Sequence, residues 1–292
     1  MNDLTNPAEI RALLDRHGFH FSKALGQNFL IEREVPIRIA SAAAGVDGGE
    51  KETGGVLEIG PGIGCLTVQL AERFARVVSI ERDRTLLPVL EETLADCGNV
   101  EIVPGDAMKL DLRALAEEKL PDGPKVFCAN LPYNITTPVL TAVIEAGCFS
   151  RICVMIQKEV AQRLCASPGG KDYGAFGLFV QWYYEPQLLF SVPPHCFMPA
   201  PKVTSAVVLM TRRQSPPAPV KDEEMLFRII RAAFNQRRKT LVNALAAAFP
   251  EFGKQGCEEA LAACGFDSTI RGERLSLMDF AALSDAVTER LS

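Results

Sequence analysis

Apolar positions along this 292-residue chain fall into two alternating rhythms. Short apolar runs at 56–59, 76–80, 100–103, 125–129 and 151–157 each end at a glycine, an acid, an asparagine or a glutamine. Between them lie stretches with helical spacing, predicted at 66–74, at 86–95 and from the fifth run through Arg163. Strands alternating with helices predict a mainly parallel sheet covered on both faces. Two further strands are expected near 185–191 and 203–210, flanking the proline-rich 192–201. Ahead of this region come a helical stretch, the segment 22–30, a second helix to about Gly45, and a loop at Gly48-Gly49. After the linker Ser215-Pro216-Pro217-Ala218-Pro219, apolar residues return at helical spacing: Leu226, Ile229, Ile230, Ala233 and Phe234, then Leu241, Ala244, Leu245 and Ala248. The predicted division is an α/β domain over 1–213 and a small all-helical domain over 214–292.

Composition narrows the class. With 48% hydrophobic and 23% charged residues, a sizeable packed core is expected and disorder is not. No apolar run approaches the length of a membrane span. Asp3, Glu9 and Asp15 make the N-terminus unlike a secretory signal. Nine scattered cysteines without a Cys-x-x-Cys pair, and three isolated histidines, predict reduced thiols of a cytoplasmic protein and no metal site. The net charge of −5 argues against nucleic acid, but its distribution argues for it. Arg228, Arg231, Arg237, Arg238 and Lys239 form a run with no acid among them; Lys158, Arg163, Lys171 and Lys202 add to it. The plain alternative is a solvated helix face.

The candidate chemistry sits at strand ends, where open α/β sheets bind their ligands. Leu57-Glu58-Ile59-Gly60-Pro61-Gly62-Ile63-Gly64 follows the first βα strand and opens a helix. Its spacing departs from Gly-x-Gly-x-x-Gly, the pattern of a dinucleotide pyrophosphate site. Such a loop suits the amino-acid and ribose parts of S-adenosylmethionine, which carries no phosphate. Glu81, ending the next strand, can accept from both ribose hydroxyls, and Asp106, ending the third, from an adenine amine. Asn130-Leu131-Pro132-Tyr133 ends the fourth. The exocyclic amine of adenine is a poor nucleophile because its lone pair is delocalised into the ring. The Asn130 side-chain oxygen and the Leu131 carbonyl can draw its hydrogens toward a tetrahedral arrangement, Pro132 stiffens the turn, and Tyr133 offers a face for an unstacked base. The plain alternatives are an Asn-x-Pro turn and two surface carboxylates.

Assembled in order, these motifs resemble the ribosomal RNA adenine dimethyltransferase family, in its bacterial small-subunit branch (KsgA/RsmA), over nearly the full chain. The resemblance includes Leu25-Gly26-Gln27-Asn28-Phe29-Leu30, Gly105-Asp106-Ala107, Gln157-Lys158-Glu159-Val160-Ala161, Phe197-Met198-Pro199-Ala200-Pro201-Lys202-Val203-Thr204-Ser205 and Phe234-Asn235-Gln236-Arg237-Arg238-Lys239-Thr240-Leu241. It implies a class I S-adenosylmethionine-dependent methyltransferase fold, Rossmann-like, with a seven-stranded sheet whose last strand is antiparallel. The implied activity is dimethylation of two adjacent adenosine N6 amines in the 3′-terminal hairpin of 16S rRNA, within a pre-30S particle, by a monomer. Gln27, Asn28 and Leu30 match positions that close over the cofactor; Gly60, Gly62, Glu81, Asp106, Ala107 and Asn130 match its contacts. Phe197 matches an aromatic that sandwiches the target base opposite Tyr133; read locally, it is equally a core residue between prolines. Lys158, Arg163, Lys202, Arg237, Arg238 and Lys239 are the expected RNA contacts. Three rivals stand beside this reading: a large-subunit rRNA methyltransferase of the macrolide-resistance type, a DNA adenine methyltransferase, and a ribosome-assembly checkpoint acting mainly by binding. Leu25-Gly26 and the long helical C-terminus favour the small-subunit branch over the first, and no target-recognition domain is evident for the second.

Overall fold

A computed structural model describes residues 4–21, 26–45 and 52–291. The motif positions 22–25 and the Gly48-Gly49 loop lie outside the described residues. Contacts divide the chain into two compact units, one running to Ala161 and resuming over Gln187–Arg212, the other comprising Gln162–Pro186 and Arg213–Ser292. The second unit therefore draws in 162–186, which the sequence assigns to the first domain.

The first unit opens with α1 (Pro7–Arg16), β1 (Phe29–Leu30) and α2 (Glu34–Ala44). The βα alternation follows as β2 (Glu52–Ile59), α3 (Cys65–Arg73), β3 (Phe74–Glu81), α4 (Leu87–Thr93), β4 (Val100–Pro104), α5 (Leu112–Lys119), β5 (Lys125–Asn130), α6 (Thr136–Ala146), β6 (Arg151–Gln157) and α7 (Lys158–Leu164). After α8 (Ala175–Tyr183) come β7 (Tyr184–Val192), β8 (Phe197–Met198) and β9 (Ser205–Arg212). The seven-stranded sheet has the order β4-β3-β2-β5-β6-β9-β7. Strands β2 to β6 pair in parallel, and β9 pairs antiparallel with β6. This is the α/β class the periodicity predicts.

Two boundaries move. Phe74, expected as the last helical residue, is the first residue of β3: its backbone is already extended where it caps α3, and helix passes into strand without a loop. The last strand starts at Ser205 rather than 203, leaving Val203 exposed. Helices α5 and α6 were not anticipated.

The sheet starts at β2, grows outward through β3 and β4, then returns to place β5 on the other side of β2. That reversal opens a crevice between the ends of β2 and β5. Central strands are buried on both faces, as parallel strands covered by helices must be. Beyond the sheet, Ile10, Leu13 and Leu14 of α1 share a core with Val89, Leu90 and Leu94, and Arg16 and His17 both bond Glu92. This packing anchors the chain ahead of β1, which pairs with β8 through Phe29↔Met198 and Leu30↔Phe197.

The second unit contains α8, α9 (Glu223–Asn235), α10 (Leu241–Ala248), α11 (Gly253–Ala263) and α12 (Leu277–Leu291). Asp222 caps α9 by accepting from Met225 N at 3.0 Å. The apolar stripe Leu226, Ile229, Ile230 and Ala233 packs with Trp182, Leu245, Leu261 and Phe280 into this unit's own core.

Candidate active site

One pocket in the first unit is lined by Gln27, Asn28, Leu30, Gly60, Gly62, Glu81, Asp106, Ala107, Asn130, Leu131, Pro132, Tyr133 and Phe197. Every residue expected at the cofactor and adenine sites thus lines a single cavity. The expected RNA contacts do not line it.

Its acidic end is built at the tips of β3 and β4. Glu81 is buried, and its Oε1 accepts from Asp83 N at 2.6 Å. Burial raises its pKa; bonds from the backbone of Asp83, Gly62 and Arg82 oppose that rise. Asp106 accepts from Met108 N at 3.1 Å, and its other oxygen lies 3.6 Å from Arg82 Nη1. Gly62 has φ +60°, where a side chain is strained, and a Cβ there would sit 3.1 Å from the Phe29 ring, which would have to give way. Phe29 closes down on the glycine loop.

A third acid, Glu58, also lines the pocket and was not among the expected site residues. Its Oε2 accepts from Thr67 Oγ1 at 2.8 Å and Ser79 Oγ at 2.6 Å. Burial pushes its pKa up to about 7 against the lowering effect of those two hydroxyls. Its place two residues ahead of Gly60 was visible in the sequence; its burial was not.

The segment 26–30 crosses the pocket and is held at several points. Gln27 Nε2 donates to Asp83 Oδ2 at 2.7 Å, Asn130 Nδ2 donates to Asn28 O at 3.3 Å, and Leu30 pairs with Phe197. Asp83 is a further residue that sequence reasoning missed, with only its position two after Glu81 as a signal. Burial raises the Asp83 pKa, but bonds from Thr85 and Gln27 outweigh it and hold the carboxyl below its usual range.

At the other end, Leu131 N donates to Met155 O at 3.1 Å, fixing the turn after β5 to the neighbouring strand. Tyr133 Oη lies 2.7 Å from Ser205 Oγ, which tethers the ring to the first residue of β9; burial raises the tyrosine pKa. Phe197 is 3% exposed and packs in the core with Leu30, so it is a core residue and a pocket residue at once.

Comparison with known proteins identifies the family. A family model described as "Ribosomal RNA adenine dimethylase" matches residues 18–263. The chain belongs to this family. The ribosomal RNA small subunit methyltransferase A of Geobacillus thermodenitrificans is 45% identical over 289 residues, covering 98% of this chain and 97% of the relative. The same-named protein of Streptococcus thermophilus is 45% identical over 283 residues, 96% of each chain. Among solved structures, the 23S rRNA methyltransferase ErmE superposes with a TM-score of 0.68 at 25% identity, covering 89% of this chain and 99% of that one. A dimethyladenosine transferase from Plasmodium falciparum gives 0.70 at 24% identity over 85% and 93%, a likeness of fold. As a member of the dimethylase family, the chain is an rRNA adenine methyltransferase.

Outside the pocket, Lys158, Lys202, Arg238 and Lys239 are exposed, as is Arg163. In the first unit, Lys158 N donates to Thr204 O at 3.0 Å, tying the start of α7 to the strand that follows Lys202. Arg237 is different: Nε pairs with Glu273 at 2.8 Å, and Nη2 donates to Gly170 O at 3.1 Å. Two of its donors are thus committed within the second unit. Among the described residues, no helix is long and apolar enough to cross a membrane.

Proposed function

We propose that this chain transfers methyl groups from S-adenosylmethionine to the N6 amines of two adjacent adenosines in the 3′-terminal hairpin of 16S rRNA, acting as a cytoplasmic monomer on a pre-30S particle. The observation that carries the reading is Asn130 lining the same pocket as Glu81 and Asp106. Relatives named as small-subunit methyltransferases, 45% identical over nearly the whole chain, support the choice of subunit.

The donor set suits the cofactor. Glu81 offers carboxylate oxygens for a ribose diol, Asp106 an acceptor for an adenine amine, and the loop 60–64 has no Lys or Arg that would seek a phosphate. S-adenosylmethionine, when bound, supplies a methyl group already activated by its sulfonium charge. The protein's part is alignment and polarisation. Asn130 donates its amide hydrogen to Asn28 O, which turns its Oδ1 toward acting as acceptor for an adenine amine. The Leu131 carbonyl supplies a second acceptor. Drawing both amine hydrogens out of the ring plane localises the nitrogen lone pair for attack. Tyr133, tethered by Ser205, and Phe197 offer faces for the base. No side chain is required as a strong base, because the amine proton becomes acidic once the nitrogen is alkylated and leaves to water.

Lys158, Arg163 and Lys202 on the one hand, and the basic run at 237–239 on the other, provide positive charge for rRNA phosphates. The test is incubation of unmethylated small subunits, and separately large subunits, with the protein and labelled S-adenosylmethionine, followed by mass spectrometry of the rRNA. The expected result is dimethyladenosine at two adjacent positions of the small-subunit RNA alone. Label confined to the large subunit would overturn the substrate assignment.

A further inference from the structure

The basic run 237–239 is not one set of equivalent cations. Arg238 and Lys239 are exposed and form no ion pair among the described residues, whereas Arg237 is about 38% exposed at its side chain and bonded on two sides. Its partners belong to two segments far apart in sequence. Glu273 lies in the turn after α11, brought close to α9 by Gly272, where any Cβ would stand 2.6 Å from the Ala233 Cβ. Gly170 lies in the turn 167–173, which is tied to the same place: Gly169 N donates to Glu273 O at 2.7 Å, and Tyr173 Oη to Leu275 O at 2.8 Å. Within the turn, Gly170 N donates to Ser167 O and Tyr173 N to Gly170 O.

The residue after Gly170 is Lys171, exposed and without an ion pair among the described residues. A lysine on a free loop is a mobile cation; this one projects from a backbone fixed at both ends. Arg237 grips the carbonyl immediately before Lys171, and Arg238 and Lys239 immediately follow Arg237, so two segments that together carry three exposed cations meet at the Arg237 side chain. Neighbouring unpaired cations of this kind fit the closely spaced phosphates of an RNA strand.

We propose that Lys171, Arg238 and Lys239 form one phosphate-binding face on the second unit, and that Arg237 builds this face as a positioning residue. The assignment rests on the rRNA reading above and adds a contact, Lys171, to it. Arg237 acts through geometry: its planar fork spans a carboxylate and a carbonyl, which a lysine ammonium cannot reproduce.

The test is the affinity of the full chain for unmethylated small ribosomal subunits, measured over a range of salt concentrations. Lys171→Ala is expected to weaken binding several-fold and to lower the slope of log affinity against log salt by about one. Arg237→Lys, which keeps the charge, is expected to weaken binding about as much, and the double variant no further. Thermal melting and S-adenosylmethionine affinity check each variant's fold, and Lys171→Ala changes only an exposed side chain. Wild-type binding with an unchanged slope in Lys171→Ala would overturn this inference alone. So would Arg237→Lys binding like wild type with the double variant matching Lys171→Ala, the pattern of a simple charge contact at Arg237. Wild-type protein that failed to bind small subunits would overturn the rRNA reading and this inference with it.

Discussion

Gln27 Nε2 lies 2.7 Å from Asp83 Oδ2, although the two residues are 56 positions apart. The bond joins the segment that crosses the pocket to the turn after Glu81, whose own carboxylate accepts from Asp83 N. The segment crossing the pocket and Glu81, the acid proposed for the ribose hydroxyls, therefore share one partner residue. Asp83→Ala removes the tie, and a hydrogen bond worth roughly 1 kcal/mol corresponds to about a fivefold change. Release of S-adenosylmethionine, followed by stopped-flow fluorescence, is expected to accelerate by about that factor. Unchanged release would mean that Phe29, Leu30 and Asn28 hold the segment without Gln27.

Asn130→Ala separates chemistry from cofactor binding. The variant loses the acceptor proposed for the adenine amine and the weak bond to Asn28 O. Turnover on small subunits is expected to fall by about a hundredfold or more, while cofactor affinity by calorimetry changes by less than about tenfold. Turnover close to wild type would remove Asn130 from the role proposed. Comparing growth of a deletion strain with one carrying Asn130→Ala then separates methylation from any contribution made by binding alone.

The raised pKa of Glu58 gives a contribution to stability that falls as pH rises. Its folded-state pKa of about 7 lies above the ordinary 4.5, so between those values the native state holds a proton that the unfolded chain has released. Native stability from this group is therefore highest at low pH and declines from about pH 4.5 to pH 7. Glu58→Gln keeps an acceptor for Thr67 and Ser79 and removes the titration. Denaturant midpoints of cofactor-free wild type and variant are expected to diverge with rising pH in the variant's favour, by on the order of 2–3 kcal/mol above pH 7. Parallel curves from pH 5 to 8 would show that the carboxyl ionises freely inside the fold.

Phe197 packs in the core with Leu30 and is proposed to face the target base, and substitution can divide the two. Phe197→Leu keeps an apolar side chain of similar reach beside Leu30 but removes the aromatic face. Its melting temperature is expected to stay within a few degrees of wild type, in keeping with a cost below about 1.5 kcal/mol for a well-tolerated apolar swap. Activity is expected to drop about tenfold or more, given the roughly 1–3 kcal/mol that stacking one base supplies. Wild-type turnover in this variant would leave Phe197 as packing alone.

The sheet and the pocket were legible because both are written in local signals. Apolar runs ending at Gly60, Glu81, Asp106 and Asn130 show strands whose tips carry polar atoms, and parallel topology alone sends such tips to one side. Strands β1 and β8 were not legible, since two residues have no periodicity and their pairing is fixed by tertiary contact at Leu30 and Phe197. Helix α6 is led in by Ile135, with no side-chain cap to announce it. Segment 162–186 joins the second unit through the burial of Tyr173, Leu178 and Trp182 with α9, an affinity that no linker composition reveals. The standing of Arg237 was hidden for a similar reason: a row of cations in sequence does not disclose which of them already has an acid beneath it.

Strand β9 is the last to leave the ribosome yet lies between β6 and β7, and its first residue secures Tyr133. During synthesis, the tips bearing Glu81 and Asp106 can assemble on β2, β3 and β4 long before residue 205 exists. The Tyr133 tether thus depends on the strand that is inserted last, whereas Glu81 and Asp106 stand on strands that precede it in the chain.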